Sequence, residues 1–162
     1  MLLGMLALPR AAWSAAADDK SGARVAFFGF HLINTSPETD TAAEDRRIAQ
    51  LDELFRQQVD ASRRFKIVAI PTDVQKEVDA GPAITSCNAC GHDIAKRIGA
   101  DLAAWGTVQK VSNLILNINV YMDDVHTGQP YFAKSVDIRG NTDESWRRGL
   151  DYILRHYLLR EP

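Results

Sequence analysis

The spacing of hydrophobic residues along the chain predicts five strands and four helices. The almost wholly apolar run at residues 24–30 is typical of a central strand that is buried on both faces. Residues 31–40 are polar and rich in turn formers, so we expect a loop there. Apolar residues then recur at helical spacing over residues 41–62, which predicts a long amphipathic helix.

Two shorter helices are predicted between the second and the third strand. The second strand is expected over residues 65–70. Thr72 is expected to cap a helix over residues 73–78. A further helix is expected over residues 91–98, with Gly99 as its C-cap.

The remaining strands are predicted to form a meander. A strand over residues 102–111 precedes the strongest alternation in the chain, whose hydrophobic side is expected to face the core. That side comprises Leu114, Leu116, Ile118, Val120 and Met122, and the other side comprises Ile115, Asn117, Asn119, Tyr121 and Asp123. A turn over residues 124–128 needs a positive φ at Gly128 and returns the chain as a strand over residues 131–138.

The chain is predicted to end in a helix with one side in the core. Asn141 and Glu144 have the three-residue spacing of a capping box. The core-facing residues at helical spacing are Trp146, Leu150, Ile153, Leu154, Tyr157 and Leu158. The element order β-α-β-α-α-β-β-β-α therefore predicts a single α/β domain with an α+β mixed sheet over residues 18–162.

The first 17 residues have most features of a secretory signal peptide. They contain an apolar run at residues 2–8 and small residues that place a cleavage site after Ala17 or, nearly as well, after Ser14. The positively charged start of such peptides is missing, so we expect the peptide to be truncated at its start. Because no other run is long enough to span a bilayer, a periplasmic or secreted protein is predicted.

Composition and charge exclude some classes of partner. Of the 162 residues, 46% are hydrophobic and 25% are charged, which is typical of a folded soluble domain and not of a disordered chain. The formal net charge of −2 provides no attraction to nucleic acids or to anionic membranes. We therefore expect no nucleic-acid partner.

Three segments carry a resemblance to a known family: the strand VAFFGF, the Gly99-Ala100-Asp101 entry to the third strand, and the hairpin from Asp124 to Gly128. Over roughly residues 24–159, the chain resembles secreted bacterial proteins related to the N-terminal domain of TolB and to CsgG-like periplasmic modules. This resemblance implies a TolB N-terminal-like fold and contacts with a periplasmic or envelope protein. Pairing of the exposed hairpin edge in a homo-oligomer is a further hypothesis.

Cys87 and Cys90 are the only cysteines, and three kinds of site suit them. In an oxidising compartment the default is a structural disulfide that holds the local turn. Together with His92, two thiolates would form a small Zn²⁺ or Cu⁺ site. A redox-active pair is the third alternative, because the cysteines precede a predicted helix. Covalent haem attachment is excluded, since Gly91 separates Cys90 from His92.

The sequence contains no complete catalytic motif, so a non-enzymatic protein without a cofactor is predicted. The polar side of the last two strands is a candidate partner surface, because amide and phenol groups form hydrogen bonds at a modest ordering cost. Its residues are Asn117, Asn119, Tyr121 and Tyr131. The alternative is a thiol-redox or metal-handling accessory protein that uses Cys87 and Cys90. The resemblance links this alternative to periplasmic quinoprotein alcohol oxidation.

Overall fold

A five-stranded sheet with helices on both faces forms the part of the chain that the computed structural model describes, residues 22–81, 83–87 and 90–160. The strands are β1 (Ala23–Asn34), β2 (Phe65–Val68), β3 (Leu102–Lys110), β4 (Ile115–Asp124) and β5 (Pro130–Arg139). The helices are α1 (Ala42–Ala61), α2 (Thr72–Ala80), α3 (Cys90–Arg97) and α4 (Asp143–Ile153), which continues as a π-helical turn over Leu154–Leu158. The predicted signal peptide at residues 1–17 lies outside the described residues.

The sheet combines parallel and antiparallel pairs in the strand order β2-β1-β3-β4-β5. β1 lies between β2 and β3 and runs parallel to both, whereas β3, β4 and β5 form an antiparallel meander. The parallel pairs are joined through helical crossovers, as their strand directions require. The predicted single α/β domain with a mixed sheet is confirmed.

Helices cover the two faces of the sheet unequally. α1 and α4 pack on one face, which we call the upper face, and bury the larger hydrophobic cluster. Within it, the rings of Phe27 and Phe55 stack with centroids 4.2 Å apart. On the opposite, lower face, α3 packs against β1 and β3, and with α2 it encloses a smaller cluster that includes Phe28 and Ile94. The lower side of β5 is exposed at Ala133, Ser135 and Asp137.

β1 is longer than its apolar run predicts. The sequence predicts a loop from His31 onward, whereas the strand continues to Asn34. His31 pairs with Thr107 and Asn34 pairs with Lys110 of β3. This pairing between distant parts of the chain supplies backbone hydrogen bonds that local polarity does not reveal.

A β-bulge interrupts β1 where its register against β3 shifts between Phe27 and Phe30. Gly29 has a φ of +83°, a conformation that glycine adopts without steric cost. Asp52 of α1 lies beside this glycine, and its Oδ1 accepts the Phe30 N–H at 2.7 Å. Burial raises the pKa of Asp52 by more than the Phe30 hydrogen bond and the Arg56 charge lower it. β2 pairs with β1 only as far as Ala26. The Asp52 carboxylate therefore accepts a backbone N–H, that of Phe30, for which β2 offers no partner.

Of the caps predicted for the two short helices, one is wrong and one is confirmed. α2 begins at Thr72 itself, so the predicted Thr72 cap is wrong; Pro71 is the N-cap, and its carbonyl accepts the Gln75 N–H at 2.8 Å. At the end of α3, Gly99 has a φ of +73°. The Ala100 N–H donates to the Ala95 carbonyl at 2.9 Å, which completes a Schellman motif. The predicted C-cap is therefore confirmed.

The capping box of α4 lies one residue later than the sequence predicts. Thr142 is the N-cap, and its hydroxyl accepts the Ser145 N–H at 3.2 Å. Asn141 and Glu144 were the predicted pair, but the Asn141 amide is engaged instead with the buried carboxylate of Glu44. A tertiary contact therefore replaces the local cap at that residue.

Two residues expected in the core are exposed. Leu114 is 71% exposed because it lies in the hairpin before β4 begins, whereas Leu116, Ile118, Val120 and Met122 are buried as predicted. Tyr157 is 41% exposed in the π-helical turn, and the Lys134 ammonium lies 3.8 Å from its ring centroid. The wider π-helical turn changes the direction in which this side chain leaves the helix.

A buried polar network closes the upper layer where β3 ends. Lys110 Nζ lies 2.6 Å from the carboxylates of both Glu44 and Glu38, and the side chains of Lys110 and Glu44 are 2% and 4% exposed. Asn141 donates to Glu44 Oε1 at 2.6 Å and accepts the Trp146 indole N–H at 3.0 Å. The network therefore joins β3, α1, α4 and the loop that follows β1.

Hydrogen bonding offsets the burial of both charges in this network. Burial raises the pKa of Glu44, whereas the hydrogen bonds from Lys110 and Asn141 lower it. The lowering effects are together larger, so the net shift is downward. Burial lowers the pKa of Lys110, whereas its hydrogen bonds to Glu38 and Glu44 raise it. The raising effects are together larger, so the net shift is upward. Both groups are thus held in their charged forms.

Candidate functional site

The two cysteines form a disulfide at the start of α3. Cys87 and Cys90 are joined with their Cα atoms 5.7 Å apart. Cys90 is the first residue of the helix, and Cys87 lies in the segment between α2 and α3. The pair packs partly buried against the smaller cluster on the lower face. The disulfide therefore ties the N-terminus of α3 to the preceding loop.

His92 pairs with an acidic residue of β4. Its Nε2 lies 2.9 Å from Asp123 Oδ2, and each side chain is 20% exposed. An ionised carboxylate can only accept, so we assign the hydrogen to Nε2, which leaves a lone pair on Nδ1 of a neutral ring. Asp123 therefore sets both the orientation and the tautomer of this imidazole.

A small cavity of about 180 Å³ adjoins this pair and the disulfide. Among the residues that line it are Thr85, Cys87, His92, Trp105 and Asp123. One small volume is thus lined by a cysteine of the disulfide, a threonine, a histidine and a tryptophan. Sequence reasoning identified Cys87 and His92 but missed Trp105 and Asp123 as their neighbours.

The structure offers little to a metal ion at this place. Within the described ranges, no group of three or more histidine, cysteine, aspartate and glutamate side chains converges in a geometry that could hold one. A disulfide also provides no thiolate, which is the sulfur form that binds Zn²⁺ and Cu⁺. A site for either ion at Cys87, Cys90 and His92 would first require reduction of the bond.

Beyond α3, the lower face carries a strip of polar and aromatic side chains, which are half-buried except for the buried Thr107. Trp105 of β3 and Tyr121 of β4 stack with ring centroids 5.6 Å apart and an interplanar angle of 24°. Next along the strands, the Asn119 amide donates to Thr107 Oγ1 at 3.0 Å. We call Trp105, Thr107, Asn117, Asn119 and Tyr121 the open strip.

The far end of the open strip changes from polar to apolar. Asn117 donates to Ser135 Oγ and to Asp137 Oδ1, each at 2.8 Å. Ile115 shares its side of β4 and is 48% exposed, and Ile33 of β1 is 41% exposed. The lower face therefore offers an aromatic end, a hydrogen-bonding middle and an apolar end.

Tyr131 does not join the other predicted surface residues. A register shift between Met122 and Asp123 leaves Tyr131 beside the irregularity in the β4–β5 pairing. Its ring makes an edge contact with Phe65, with centroids 6.1 Å apart, and Phe65 belongs to the cluster of the upper face. The bulge therefore separates Tyr131 from Asn117, Asn119 and Tyr121, which strict alternation along the sequence could not indicate.

His31 is a further polar group next to the open strip. It pairs in register with Thr107, and its Nε2 is buried without a hydrogen-bond partner among the residues described. Burial lowers the pKa of His31, and the Asp52 charge and the Phe28 backbone raise it by less. A neutral imidazole is therefore favoured at this position.

A larger groove of about 700 Å³ runs between α1 and α4 on the upper side. Leu51 and Leu54 form part of its apolar wall, and its rim mixes basic with acidic side chains. These are Arg47, Glu53, Asp143, Glu144 and Arg147. Since such a rim selects neither sign of charge, and none of the predicted site residues lies there, we place the candidate site on the lower face.

Comparison with known proteins identifies one family. The DUF3280 family model, described as "Protein of unknown function (DUF2380)", matches residues 23–158. None of the curated proteins compared with the chain matches it significantly. No helix in the described part of the chain is long and apolar enough to cross a membrane.

Several solved structures have a similar fold. The C-terminal domain of LpoB from Salmonella enterica is 12% identical, with a TM-score of 0.57 over 76% of this chain and 87% of that one. PelC from Paraburkholderia phytofirmans, described as a dodecamer, is 13% identical, with a TM-score of 0.52 over 83% and 86%. Lipoprotein GNA1162 from Neisseria meningitidis is 16% identical, with a TM-score of 0.50 over 75% and 83%. At these identities the likeness shows the fold alone.

The structural comparison adds no support to the resemblance to TolB that the sequence shows. TolB from Acinetobacter baumannii is 12% identical over 75% of this chain and 24% of that one, and its TM-score of 0.43 is too low to support an argument. The more specific likeness to CsgG-like modules is not supported.

Proposed function

Since the chain belongs to the DUF3280 family of proteins of unknown function, we propose its function from the site: a non-enzymatic binding module of the cell envelope that contacts another protein through the open strip. The observation that carries this proposal is the stacked Trp105–Tyr121 pair beside the tethered amides of Asn117 and Asn119 on a face that the helices leave uncovered. Stacking and hydrogen bonds within the chain thus orient these side chains in the absence of a partner.

The order of side chains along the strip favours an extended polypeptide segment as the partner. Aromatic rings at one end and isoleucines at the other provide apolar contact. Between them, the second N–H of the Asn119 amide can donate to a partner, and the amide oxygens of Asn117 and Asn119 can accept. Tyrosine and tryptophan side chains are enriched at the centres of protein interfaces. Because neighbouring hydroxyl and carboxylate groups already orient the amides, binding costs little further side-chain entropy.

Two further observations support a location in the envelope and a role in contacts. The predicted signal peptide would export the chain from the cytosol. Of the proteins with a similar fold, GNA1162 is described as a lipoprotein and PelC as a dodecamer. The first description suits a location in the envelope, and the second suits a fold that makes protein–protein contacts.

Photo-crosslinking in living cells tests the position of the binding surface. The full chain is produced with p-benzoylphenylalanine in place of Tyr121, and a matched variant carries it in place of Tyr152, a tyrosine of α4 that is 45% exposed. We expect a discrete adduct with a second, different protein from Tyr121 and none from Tyr152. The adducts are separated by gel electrophoresis and identified by mass spectrometry.

The other outcomes contradict the proposal. An adduct of twice the mass of the chain would assign the open strip to a second copy of this protein. Equal adducts from both positions, or no adduct from Tyr121 in cells that crosslink from Tyr152, would remove the strip as the binding surface.

A further inference from the structure

The disulfide and the His92–Asp123 pair lie beside one small cavity and have no part in the proposed binding role, which shares only Trp105 with this cavity. We propose that the Cys87–Cys90 disulfide exchanges with the thiols of a dithiol protein, and that His92, positioned by Asp123, moves the protons of this exchange. The exchange is independent of partner binding at the open strip, so each can fail without the other.

The cavity indicates which sulfur a partner attacks. Cys87 lines the cavity of about 180 Å³ with Thr85 and Trp105. An attacking thiolate must approach a sulfur along an open path, and among the described residues this volume lies beside Cys87. Cys87 is therefore the sulfur that accepts the incoming thiolate, and Cys90 is the leaving group.

Cys90 has the surroundings that a leaving thiolate needs. It is the first residue of α3, an eight-residue helix whose N-terminal N–H groups carry partial positive charge. Thiols at helix N-termini and beside histidine have a lowered pKa, and a thiol of lower pKa leaves faster. His92 lies in the first turn of the same helix.

The contact with Asp123 prepares His92 for proton transfer. Nε2 is held 2.9 Å from Asp123 Oδ2, so Nδ1 keeps a free lone pair in the neutral ring. An imidazole held by a carboxylate is the usual arrangement of a general base, because the carboxylate fixes the ring and stabilises the imidazolium. Among the cavity residues other than the disulfide, His92 and Asp123 are the titratable groups, and Ile84, Thr85 and Trp105 carry no charge.

The exchange balances without an additional oxidant. His92 takes the proton of the first partner thiol, and the resulting thiolate forms a bond to Cys87 Sγ. The Cys87–Cys90 bond breaks, its electron pair stays on Cys90 Sγ, which takes a proton from water, and the imidazolium gives its proton back to water. The second partner thiol then loses its proton through His92 and attacks the partner sulfur of the mixed disulfide. Cys87 leaves as a thiol, so the partner dithiol is oxidised by two electrons and the two cysteines are reduced.

Reduction of the folded protein by dithiothreitol tests this proposal. The free thiols are alkylated at successive times and counted by mass spectrometry, for the full chain and for His92→Gln. We expect reduction under native conditions, slowed about tenfold or more in His92→Gln because proton transfer is lost. Asp123→Asn should show a smaller slowing, and His126→Gln, at an exposed histidine of the β4–β5 turn, should match the natural protein.

The pH dependence of the same rate separates a proton-transfer role from a structural one. In the natural protein the rate should show a pH dependence beyond that of the attacking thiol. In His92→Gln it should follow the attacking thiol alone. Unchanged rates and pH profiles in His92→Gln, or a disulfide that dithiothreitol reduces only after unfolding in urea, would overturn the proposal. Both results leave the crosslinking test at Tyr121 unaffected.

Discussion

Lys110→Ala is expected to lower the free energy of unfolding by about 3–5 kcal/mol, the loss that follows when one partner of a buried ion pair is removed. Lys110 and Glu44 are almost wholly buried and lie 2.6 Å apart. Without the ammonium group, the Glu44 carboxylate stays in the interior with the Asn141 amide as its remaining strong donor. Most of the expected loss comes from this uncompensated charge and not from the lost contact itself.

Urea unfolding followed by circular dichroism measures this loss, with Lys66→Ala as the control. Lys66 is an exposed lysine on β2, and its removal should change the stability by no more than about 0.5 kcal/mol. Similar losses in the two variants would show that the Lys110–Glu44 pair is not buried as described.

The pH dependence of the same measurement follows from the shift of Glu44. Folding lowers the pKa of Glu44, so its contribution to stability is present above its ordinary value of 4.5 and is lost as the pH falls through the lower folded value. In Lys110→Ala, burial without the ammonium raises the pKa of Glu44 instead. The difference between variant and natural protein should therefore shrink as the pH is lowered from 7 to 4.

Trp146→Ala is expected to cost about 3–5 kcal/mol, the usual loss for a buried tryptophan. The Trp146 side chain is 1% exposed between α4 and the upper face, and its indole N–H donates to Asn141 Oδ1 at 3.0 Å. Truncation leaves a cavity in the core and removes one donor from the Asn141 amide. The loss is read from the midpoint and slope of urea unfolding.

Trp105→Ala is the matched control for this prediction. Trp105 is half-buried at the edge of the lower cluster and stacks on Tyr121. Its truncation should cost roughly half of the Trp146 loss, because part of the ring already contacts water. Equal losses for the two tryptophans would contradict the assignment of one to the core and the other to a binding surface.

The order of the elements could be predicted from the sequence because it depends on local patterns. The alternation in β4 and the helical spacing in α1 reflect burial on one side of each element, which sequence spacing records directly. Positions set by distant contacts could not be predicted in this way. β1 extends to Asn34 through pairing with β3, and the cap of α4 moves to Thr142 because Asn141 bonds to Glu44.

Most residues of the candidate site could be predicted from the sequence, but the contacts between them could not. Spacing identified Cys87, Cys90 and His92 as chemically suited side chains, and alternation placed Asn117, Asn119 and Tyr121 on one side of β4. The contact of His92 with Asp123 depends on how α3 lies against the sheet, which has no local signature. The displacement of Tyr131 depends on a bulge, which alternation does not encode.

Binding through the open strip is tested by the dissociation constant of the partner that crosslinks from Tyr121, measured with the purified full chain by isothermal titration calorimetry. Tyr121→Ala should weaken binding by about 30-fold, the effect of losing a central aromatic contact of about 2 kcal/mol. Tyr152→Ala should leave the dissociation constant within about twofold. Equal affinities for Tyr121→Ala and the natural protein would contradict binding through the open strip.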